Sequence, residues 1–549
     1  MTGCLAANKL ADREYFRYTP ARITIPQWTK MATRDAMIQT VLVLRRRAPL
    51  LLAVALSAGC VDEPPAAAGQ AGGAGIADSV RLPDSETGRQ FPVFLAAYNA
   101  GRLDALRAYF DEVAGDSARA ADLAAYWMGV HNEYGPVALE LVDTTRTWPW
   151  YWVRGRATRT WAVFDVGFGD GPDRGLTSVG VARGIRPPGL GPPPAIVAER
   201  LPELLGRYLE SVEAGGHFSG AVSVAKDGET IFEGAYGSAD RRHGVPNRLD
   251  TRFPLASLTK MLTAVAVLQL VERGDIALSD RLGQLVPEYP DRIGSQVTVR
   301  HLLTHTSGIE LDDHPPFNRQ VERARSVEEM LQAQLDHIDE LNQGPVEEFE
   351  LPDGFDYTNE GYDLLGVIVA RVSGRSWPDY VREHVLEPAG MSRTGFVRDV
   401  PVADVATGYT RGSNHPEGRR RENHFLLSPF ARPSGNAFAT AGDVVRFLEA
   451  VRTGRLLGPE LARAATSPQV PWVGQNDTYY GLGFQIVDAD GVRYYGHGGS
   501  QPGVSARAYV YPDRGYTVVI LSNHADAAWH VAAYVHRLVV GVARSGDTT

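Results

Sequence analysis

The apolar and polar positions of the chain show helical spacing first and strand-like alternation afterwards between residues 83 and 187. Apolar residues recur with helical period from Phe94 through Phe110 and again from Ala118 to Tyr134, which predicts two helices. Four alternating runs follow, and each predicts a strand: Val137–Asp143, Trp150–Arg156, Trp161–Gly167 and Leu176–Arg183. Helices followed by strands favour a small α+β domain over residues 83–187.

A second folded region is predicted over residues 195–549, after a stretch rich in proline and glycine at 188–194. Such a stretch is typical of a stiff linker, so we expect few contacts between the two regions. Helical periodicity and alternation place helices and hairpins near both ends of this region: Ala198–Ala214, Ala221–Ala225, Thr230–Tyr236, Ala506–Tyr511, Thr517–Ser522 and Asp526–Val542. Strands at both ends and helices between them predict one antiparallel sheet to which both ends contribute.

The first 82 residues carry the features of an export signal and a tether. Residues 1–36 are predicted to be an upstream extension, 37–59 a signal peptide and 60–82 a flexible tether rich in alanine, glycine and proline. Three arginines precede an apolar run, Ala48–Leu56, that is too short to span a bilayer.

Small residues before Cys60 resemble a bacterial lipobox, in which the cysteine becomes the lipidated first residue of the mature protein. We therefore expect a lipid-anchored protein of the cell envelope that faces the periplasm. A plain secretory signal with an incidental cysteine is the alternative.

Composition excludes several classes of function. The 549 residues carry a net charge of −10 without a long basic block, which argues against nucleic-acid binding. The two cysteines, Cys4 and Cys60, lie near no His/Cys cluster, so neither a structural zinc site nor a disulfide framework is expected. Lysine occurs only at positions 9, 30, 226 and 260, and arginine supplies the remaining positive charge. Lysine can act as a base when its pKa falls, whereas arginine cannot, so Lys260 is a candidate for proton chemistry.

Ser257 and Lys260 open a helix that is apolar nearly all round up to Gly274. The two residues are three apart and share one helix face, and burial favours the neutral form of a lysine. The start of a helix also favours developing negative charge. This pair supplies what a serine nucleophile needs, although Ser-x-x-Lys alone is not a specific motif.

Two further elements are suited to catalysis. Tyr357 and Asn359 lie in a glycine-flanked loop before a predicted helix, Asp363–Val372. A tyrosine can transfer a proton, and an asparagine can donate to a substrate carbonyl. The second element consists of four consecutive residues, and its glycines permit close approach of a ligand: His497, Gly498, Gly499 and Ser500. Each element by itself is also typical of an ordinary turn.

The order Ser-x-x-Lys, Tyr-x-Asn, His-x-Gly resembles that of the serine β-lactamase and penicillin-binding superfamily. The chain is most similar to the class C β-lactamase-related branch, which includes D-peptidases and carboxylesterases. Flanking segments add to the resemblance: Phe253–Ala256, His301–Gly308 and Asn359–Gly366. The resemblance implies, for residues 195–549, an antiparallel sheet flanked by helices with an all-helical subregion. The α+β domain before it resembles, more weakly, the nuclear-transport-factor-2-like (cystatin-like) cone.

The resemblance also implies roles for the residues. Ser257 attacks a carbonyl and becomes acylated, and Lys260 and Tyr357 take and return protons. Asn359 orients the acyl substituent. His497 contacts Tyr357 or the substrate.

Gly498 and Gly499 contact the substrate together with Ser500, and the backbone N–H groups of Ser257 and Ser500 form an oxyanion hole. Thr358 stands where serine is frequent in the family, which leaves these roles intact.

The expected protein is thus a serine hydrolase that acts on esters or small amides, including D-amino-acid amides, and needs no cofactor. Many relatives carry lysine where this chain has His497, and a histidine is mostly neutral near pH 7.5. The clamp on the carboxylate of β-lactams is therefore expected to be weak, although Arg507 is a candidate to compensate. A β-lactamase or DD-peptidase proper, or a non-catalytic envelope binding protein, are the alternatives.

Two other readings of the sequence concern ligands. His301, His305 and His314 could form a metal cluster, but the first two lie in a segment that matches a structural part of the family, so no metal is expected. Four tryptophans could line a pocket for a small apolar ligand in the first domain, although core and edge packing is the preferred interpretation: Trp148, Trp150, Trp152 and Trp161.

Overall fold

A computed structural model describes most of the chain from residue 80 to residue 542. Within that range it does not describe 145–148, 169–175, 184–186, 188–190, 192, 312–314, 339–348, 397–403, 412–419, 423–431, 474, 476 and 526. The signal, Cys60, Trp148, His314 and most of the predicted linker lie outside the described residues. None of the described helices is both long enough and apolar enough to cross a membrane.

The first folded region is an α+β module with three helices and one sheet. Its helices are α1 (Glu86–Asn99), α2 (Leu103–Val113) and α3 (Ser117–Tyr134). Its antiparallel strands, in sheet order, are β1 (Val137–Asp143), β2 (Trp150–Gly155), β3 (Trp161–Phe168) and β4 (Leu176–Arg183). The predicted strands are confirmed to within two residues.

One predicted helix is wrong, because the chain from Phe94 to Phe110 forms parts of two helices. Gly101 lies between them with φ +65°, a left-handed conformation that ends a helix. A Cβ at this position would lie 2.8 Å from the ring of His131, so the turn also requires the absence of a side chain. Apolar periodicity continues across such a break and does not show it.

Aromatic side chains fill the core of the module. Phe94 lies 4.7 Å from Trp127 and 6.2 Å from Phe164 between ring centroids. Trp152 is buried, whereas Trp150 and Trp161 are partly exposed. These three tryptophans lie on the two central strands, on the face of the sheet opposite the core residues Tyr151 and Val153.

The second region contains an eight-stranded antiparallel sheet in the order β14-β15-β16-β17-β18-β19-β5-β6. The strands are β5 (Gly220–Lys226), β6 (Glu229–Tyr236), β14 (Val470–Pro471), β15 (Thr478–Tyr480), β16 (Gln485–Ala489), β17 (Val492–Gln501), β18 (Val504–Tyr511) and β19 (Tyr516–Ser522). Val519 of β19 pairs with Ser223 of β5. Both ends of the region therefore contribute to one sheet, as the sequence predicts.

Helices cover both faces of this sheet. One face packs on α4 (Leu201–Ala214) and α16 (Ala527–Gly541), through side chains such as Tyr511. The other face packs on α5 (Thr259–Glu272) and α14 (Ala441–Arg452), through side chains such as Ala508. Helix α5 is buried on nearly all sides, including at Lys260, because it lies between the sheet and the helical middle of the chain.

The middle of the chain supplies the remaining elements. Its helices are α6 (Leu282–Leu285), α7 (Asp291–Gly294), α8 (Val299–Leu303), α9 (Pro315–Arg323), α10 (Val327–His337), α11 (Glu360–Ser373), α12 (Trp377–Val381), α13 (Glu387–Ala389) and α15 (Pro459–Ala465). Short strands form small sheets around them: β7 (Ser238–Asp240), β8 (Val245–Pro246), β9 (Phe253–Pro254), β10 (Gly395–Phe396), β11 (Tyr409–Arg411), β12 (Arg420–Glu422) and β13 (Ala437–Ala439).

The α+β module packs against the second region, contrary to the expectation of few contacts. Thr160 Oγ1 lies 2.7 Å from His530 Nδ1, and the Tyr208 hydroxyl donates to the backbone carbonyl of Thr158 at 2.7 Å. The Tyr134 ring meets Trp529 edge-on at 5.6 Å. The composition of the linker says nothing about the surfaces that it connects. The module contacts the second region through residues on the outer faces of α4 and α16.

Candidate active site

The candidate nucleophile lies in a short 3₁₀ turn, Ala256–Leu258, immediately before α5. Ala256 has φ +46°, a conformation that costs energy for a residue with a side chain and that is often found at functional sites. The backbone N–H of Leu255 donates to the carbonyl of Ala437 at 2.8 Å, which fixes the entry to the turn. Ser257 is partly exposed between buried neighbours, so the turn presents its hydroxyl at the surface of the site.

Lys260 is fully buried, and its Nζ joins three segments that are distant in sequence. Nζ lies 3.4 Å from Ser257 Oγ and donates to Asn359 Oδ1 at 2.6 Å and to the backbone carbonyl of Ser434 at 2.9 Å. It also lies 4.8 Å from the ring centroid of Tyr357. The structure therefore brings the four predicted catalytic and orienting residues together around one amine.

The segment that carries Ser434 was not identified from the sequence. Asp363 of α11 accepts from Arg432 Nε at 2.8 Å and from the Ser434 backbone N–H at 3.2 Å. The Thr263 hydroxyl of α5 donates to the carbonyl of Pro433 at 2.7 Å. These bonds hold the segment between two helices, so the Ser434 carbonyl stays directed at the lysine.

His305 supports the loop of Tyr357. Its carbonyl accepts from the Asp356 N–H at 2.7 Å, and its Nδ1 accepts from the Thr358 N–H at 3.2 Å. The His305 and Tyr357 rings lie 4.2 Å apart. Burial is the largest cause that lowers the pKa of His305 well below its usual range. The neutral ring is thereby available as an acceptor.

The two described histidines of the candidate metal cluster have other hydrogen-bond partners. His305 is occupied in supporting the Tyr357 loop, and His301 bonds the backbone of Thr298 at the start of α8. Within the described residues there is no group of three or more His, Cys, Asp or Glu side chains suited to a metal ion, and His314 lies outside them.

Strand β17 passes directly beside the nucleophile turn. A Cβ at Gly499 would lie 2.4 Å from the carbonyl oxygen of Leu255, so only glycine permits this approach. Gln501 pairs with Val504 at the end of the β17–β18 hairpin, and the alternation of an antiparallel ladder directs the N–H groups of Gly498 and Ser500 away from β18.

The Gly498 N–H donates to Gln485 Oε1 at 3.0 Å on that open side. The N–H of Ser500, two residues further along, faces the same side beyond the end of β16.

His497 is buried, and both of its ring nitrogens have partners other than Tyr357. Nε2 lies 2.9 Å from the Tyr480 hydroxyl, and Nδ1 lies 2.5 Å from the carbonyl oxygen of Gly498. Burial is the largest cause that lowers the pKa of His497 to about 3. The ring is neutral, with Nδ1–H as donor and Nε2 as acceptor, so it supports the strand and is not a cation in the site.

Arg507 does not take the place of a cation at position 497. Arg507 pairs with Gly498 across the hairpin and shares a face of the sheet with Tyr509, which packs towards α16. Its guanidinium donates to the backbone carbonyl of Ala506 at 2.7 Å. His497 lies on the opposite face, so the sequence-based suggestion that Arg507 compensates is not supported.

Three supporting residues were missed by sequence reasoning: Tyr480, Gln485 and Ser434. Tyr480 had a local signal, since the glycines of the Tyr-Gly-Leu-Gly segment that it opens indicate close packing. A Cβ at Gly483 would lie 2.2 Å from the Cβ of Ala264 on α5. Gln485 and Ser434 have no such local sequence signal. The contact of Gln485 with the Gly498 N–H depends on the register between β16 and β17, and Ser434 contacts Lys260 only through its backbone carbonyl.

Comparisons with known proteins match the region that contains these residues. The family model described as Beta-lactamase matches residues 205–540. Penicillin-binding protein 4* of Bacillus subtilis is 28% identical over 322 residues, which cover 56% of this chain and 68% of that protein. Esterase EstB of Burkholderia gladioli is 35% identical over 303 residues, which cover 49% of this chain and 75% of the esterase.

Among solved structures, a penicillin-binding protein from Bacillus halodurans aligns with a TM-score of 0.52 and 31% identity. The alignment covers 60% of this chain and 98% of that one. The matched family segment contains every element of the candidate site from the Ser257 turn to β17. The chain belongs to the β-lactamase family and is a serine hydrolase.

Proposed function

We propose that the protein hydrolyses esters or small amides through an acyl-enzyme on Ser257. The single observation that carries the proposal is the buried Lys260 amine, 3.4 Å from Ser257 Oγ and in contact with the Tyr357 ring. A serine hydroxyl becomes a useful nucleophile when a positioned base takes its proton. The esterase among the relatives supports an ester substrate.

The reaction has two balanced steps. Ser257 Oγ forms a bond to the substrate carbonyl while Lys260, with Tyr357, takes the hydroxyl proton. The oxyanion accepts hydrogen bonds from the backbone N–H groups of Ser257 and Ser500. The leaving group departs with the proton that Tyr357 returns. A water molecule then attacks the acyl-enzyme in the same manner, which releases the acid and restores the serine hydroxyl.

The substrate assignment depends on the absence of a fixed cation at position 497 of β17. The neutral His497 ring bonds Tyr480 and the Gly498 carbonyl, and Arg507 lies on the other face of the sheet. A carboxylate such as that of a penicillin or a stem peptide gains most from a charged donor. We therefore expect weak β-lactam turnover.

The test compares kcat/KM for a chromogenic cephalosporin with kcat/KM for a short-chain nitrophenyl ester. The ester should be the better substrate, and His497→Lys should shift the ratio towards the cephalosporin. Faster cephalosporin turnover by the wild type would instead assign a β-lactamase. Failure of a fluorophosphonate to label the protein at Ser257 would favour a non-catalytic binding protein.

We also propose that the protein is anchored in the cell envelope by a lipid on Cys60. Support comes from the sequence: an arginine-flanked apolar run followed by small residues before the cysteine. Mass spectrometry of the mature N-terminus tests it. A lipid mass on Cys60 is expected, and an unmodified chain cleaved elsewhere would refute the anchor.

A further inference from the structure

A row of aromatic side chains extends from Tyr357 towards the outside of the protein. The Tyr357 and Trp472 rings are nearly parallel, with an interplanar angle of 22° and centroids 6.1 Å apart. Phe355 lies 4.4 Å from Trp472 and 6.3 Å from Tyr357. We call Phe355, Tyr357 and Trp472 the aromatic wall.

All three members of the wall are partly exposed, unlike the tyrosine behind them. Tyr480, which lies 5.5 Å from Phe355, is fully buried. Val473 follows Trp472 and exposes 69% of its surface, the largest value for a large apolar side chain in the described parts of the chain. A single exposed apolar residue is ordinary, but a contiguous apolar surface beside a reactive group is typical of a ligand site.

The backbone on both sides of the wall is fixed. The Trp472 N–H donates to the carbonyl of Thr478 at 2.9 Å, and the preceding Pro471 pairs with Tyr479 between β14 and β15. On the other side, the Asp356 N–H donates to the carbonyl of His305. Because these segments are anchored to the large sheet and to the turn after α8, the wall is formed before a substrate arrives, which lowers the entropic cost of binding.

The position of the wall relative to the proton donor indicates which part of a substrate it meets. In the proposed reaction Tyr357 returns a proton to the leaving atom, so that atom comes within hydrogen-bond distance of the tyrosine hydroxyl. Groups attached to it then lie on the Tyr357 side of the carbonyl, where Trp472 and Phe355 continue the apolar surface.

We propose that the aromatic wall binds the leaving group, and that the enzyme prefers esters and amides whose leaving group carries an aromatic ring. This inference rests on the proposed function, since it requires turnover at Ser257. A flat ring can stack in offset geometry on Trp472, whereas a short alkyl group covers less of the wall.

The test uses three esters: benzyl acetate, ethyl acetate and ethyl benzoate. The ratio of kcat/KM for benzyl acetate to that for ethyl acetate is measured in the wild type and in Trp472→Ala. Intrinsic ester reactivity cancels when the two ratios are compared. We expect the ratio to fall about three- to tenfold in Trp472→Ala, as expected for loss of an aromatic contact, and to stay near the wild-type value in Trp472→Phe. The ratio of ethyl benzoate to ethyl acetate, which reports the acyl side, should change little.

Trp150→Ala in the α+β module is the matched control, since it removes another partly exposed tryptophan outside the site. An unchanged benzyl-to-ethyl ratio in a folded Trp472→Ala protein that is still labelled at Ser257 overturns the inference alone. A change only in the benzoate ratio also overturns it, because the wall would then contact the acyl group.

If wild-type protein neither hydrolyses esters nor reacts with a fluorophosphonate, the proposed function itself fails. If Trp472→Ala does not fold, inhibition of wild-type ethyl acetate hydrolysis by benzyl alcohol and by cyclohexylmethanol decides the question. Stronger inhibition by the aromatic alcohol supports the inference, and equal inhibition overturns it.

Discussion

The Tyr480 hydroxyl and His497 Nε2 lie 2.9 Å apart in a fully buried environment. Since the other ring nitrogen is 2.5 Å from the Gly498 carbonyl oxygen, the tyrosine selects the tautomer that donates to this carbonyl. The bond therefore connects β15 with the backbone of β17 two residues before Ser500. In the proposed reaction, Tyr480 is a positioning residue for the strand that carries the Ser500 N–H.

Tyr480→Phe should lower kcat about tenfold with little change in KM, because loss of a buried hydrogen bond costs about 1–2 kcal/mol and here loosens a transition-state donor. Nitrogen-15 NMR of the His497 ring should show a mixture of tautomers in place of one. Tyr289→Phe is the control: it removes another buried hydroxyl bond, to Gln334, and should lower stability without lowering kcat. Unchanged kcat in Tyr480→Phe would contradict the positioning role.

Ser257→Ala should abolish ester hydrolysis and covalent labelling while the thermal unfolding transition remains. The side chain is small and partly exposed, so its loss removes the nucleophile without creating a cavity. Activity assays, fluorophosphonate labelling and circular dichroism are the measurements. Labelling at another serine would end the assignment.

Lys260→Arg should be nearly as inactive as Ser257→Ala, since arginine keeps the charge but cannot accept the serine proton. Single-turnover acylation is the appropriate measurement, because it isolates the proton transfer from product release. Substantial acylation in a folded variant would show that Lys260 acts only through its charge.

Stability should fall as the pH decreases below about 6.5. The folded-state pKa of His497 is lowered to about 3, and that of His305 is also lowered well below its usual range. As the pH falls, these histidines therefore take up protons in the unfolded chain before they do so in the folded protein. The stability present above pH 6.5 is lost progressively towards pH 3. The loss is up to about 1.4 kcal/mol per pH unit for each histidine. Urea unfolding between pH 4 and pH 8 measures this slope.

His497→Gln removes one of the titrating groups, whatever its effect on absolute stability. The slope of the unfolding free energy against pH should therefore decrease by the contribution of about one bound proton. A slope equal to that of the wild type would show that His497 does not titrate abnormally in the folded protein.

The fragment 195–549 should retain the active site but unfold at a lower temperature than the full chain. Every candidate site residue lies inside the fragment, whereas removal of the α+β module exposes Trp529 and Tyr208 and breaks the bond between Thr160 and His530. In the full chain, Trp529→Ala should cost about 1–2 kcal/mol for the same reason. Equal Tm values for fragment and full chain would show that the interface contributes nothing.

The sequence by itself determined the strands of the α+β module, the two ends of the large sheet and the identity of the chemical groups. Periodicity located the strands of the module, and both ends of the large sheet followed from alternation at the two ends of one region. The order of Ser257, Lys260, Tyr357 and Asn359 was sufficient for the family, because spacing along a chain is a covalent property. The break at Gly101 was not visible, since it depends on the ring of His131 packed against it.

Only the tertiary structure decided what each polar atom meets. Lys260 and Ser434 are 174 residues apart, and the contact exists because Asp363 on a third segment holds the Ser434 backbone. Arg507 and His497 are close in sequence, yet strand alternation and hairpin register place them on opposite faces of one sheet. The neutral state of His497 likewise results from burial and from Tyr480 on another strand. Contacts of this kind arise from the packing of distant segments, which local sequence patterns do not encode.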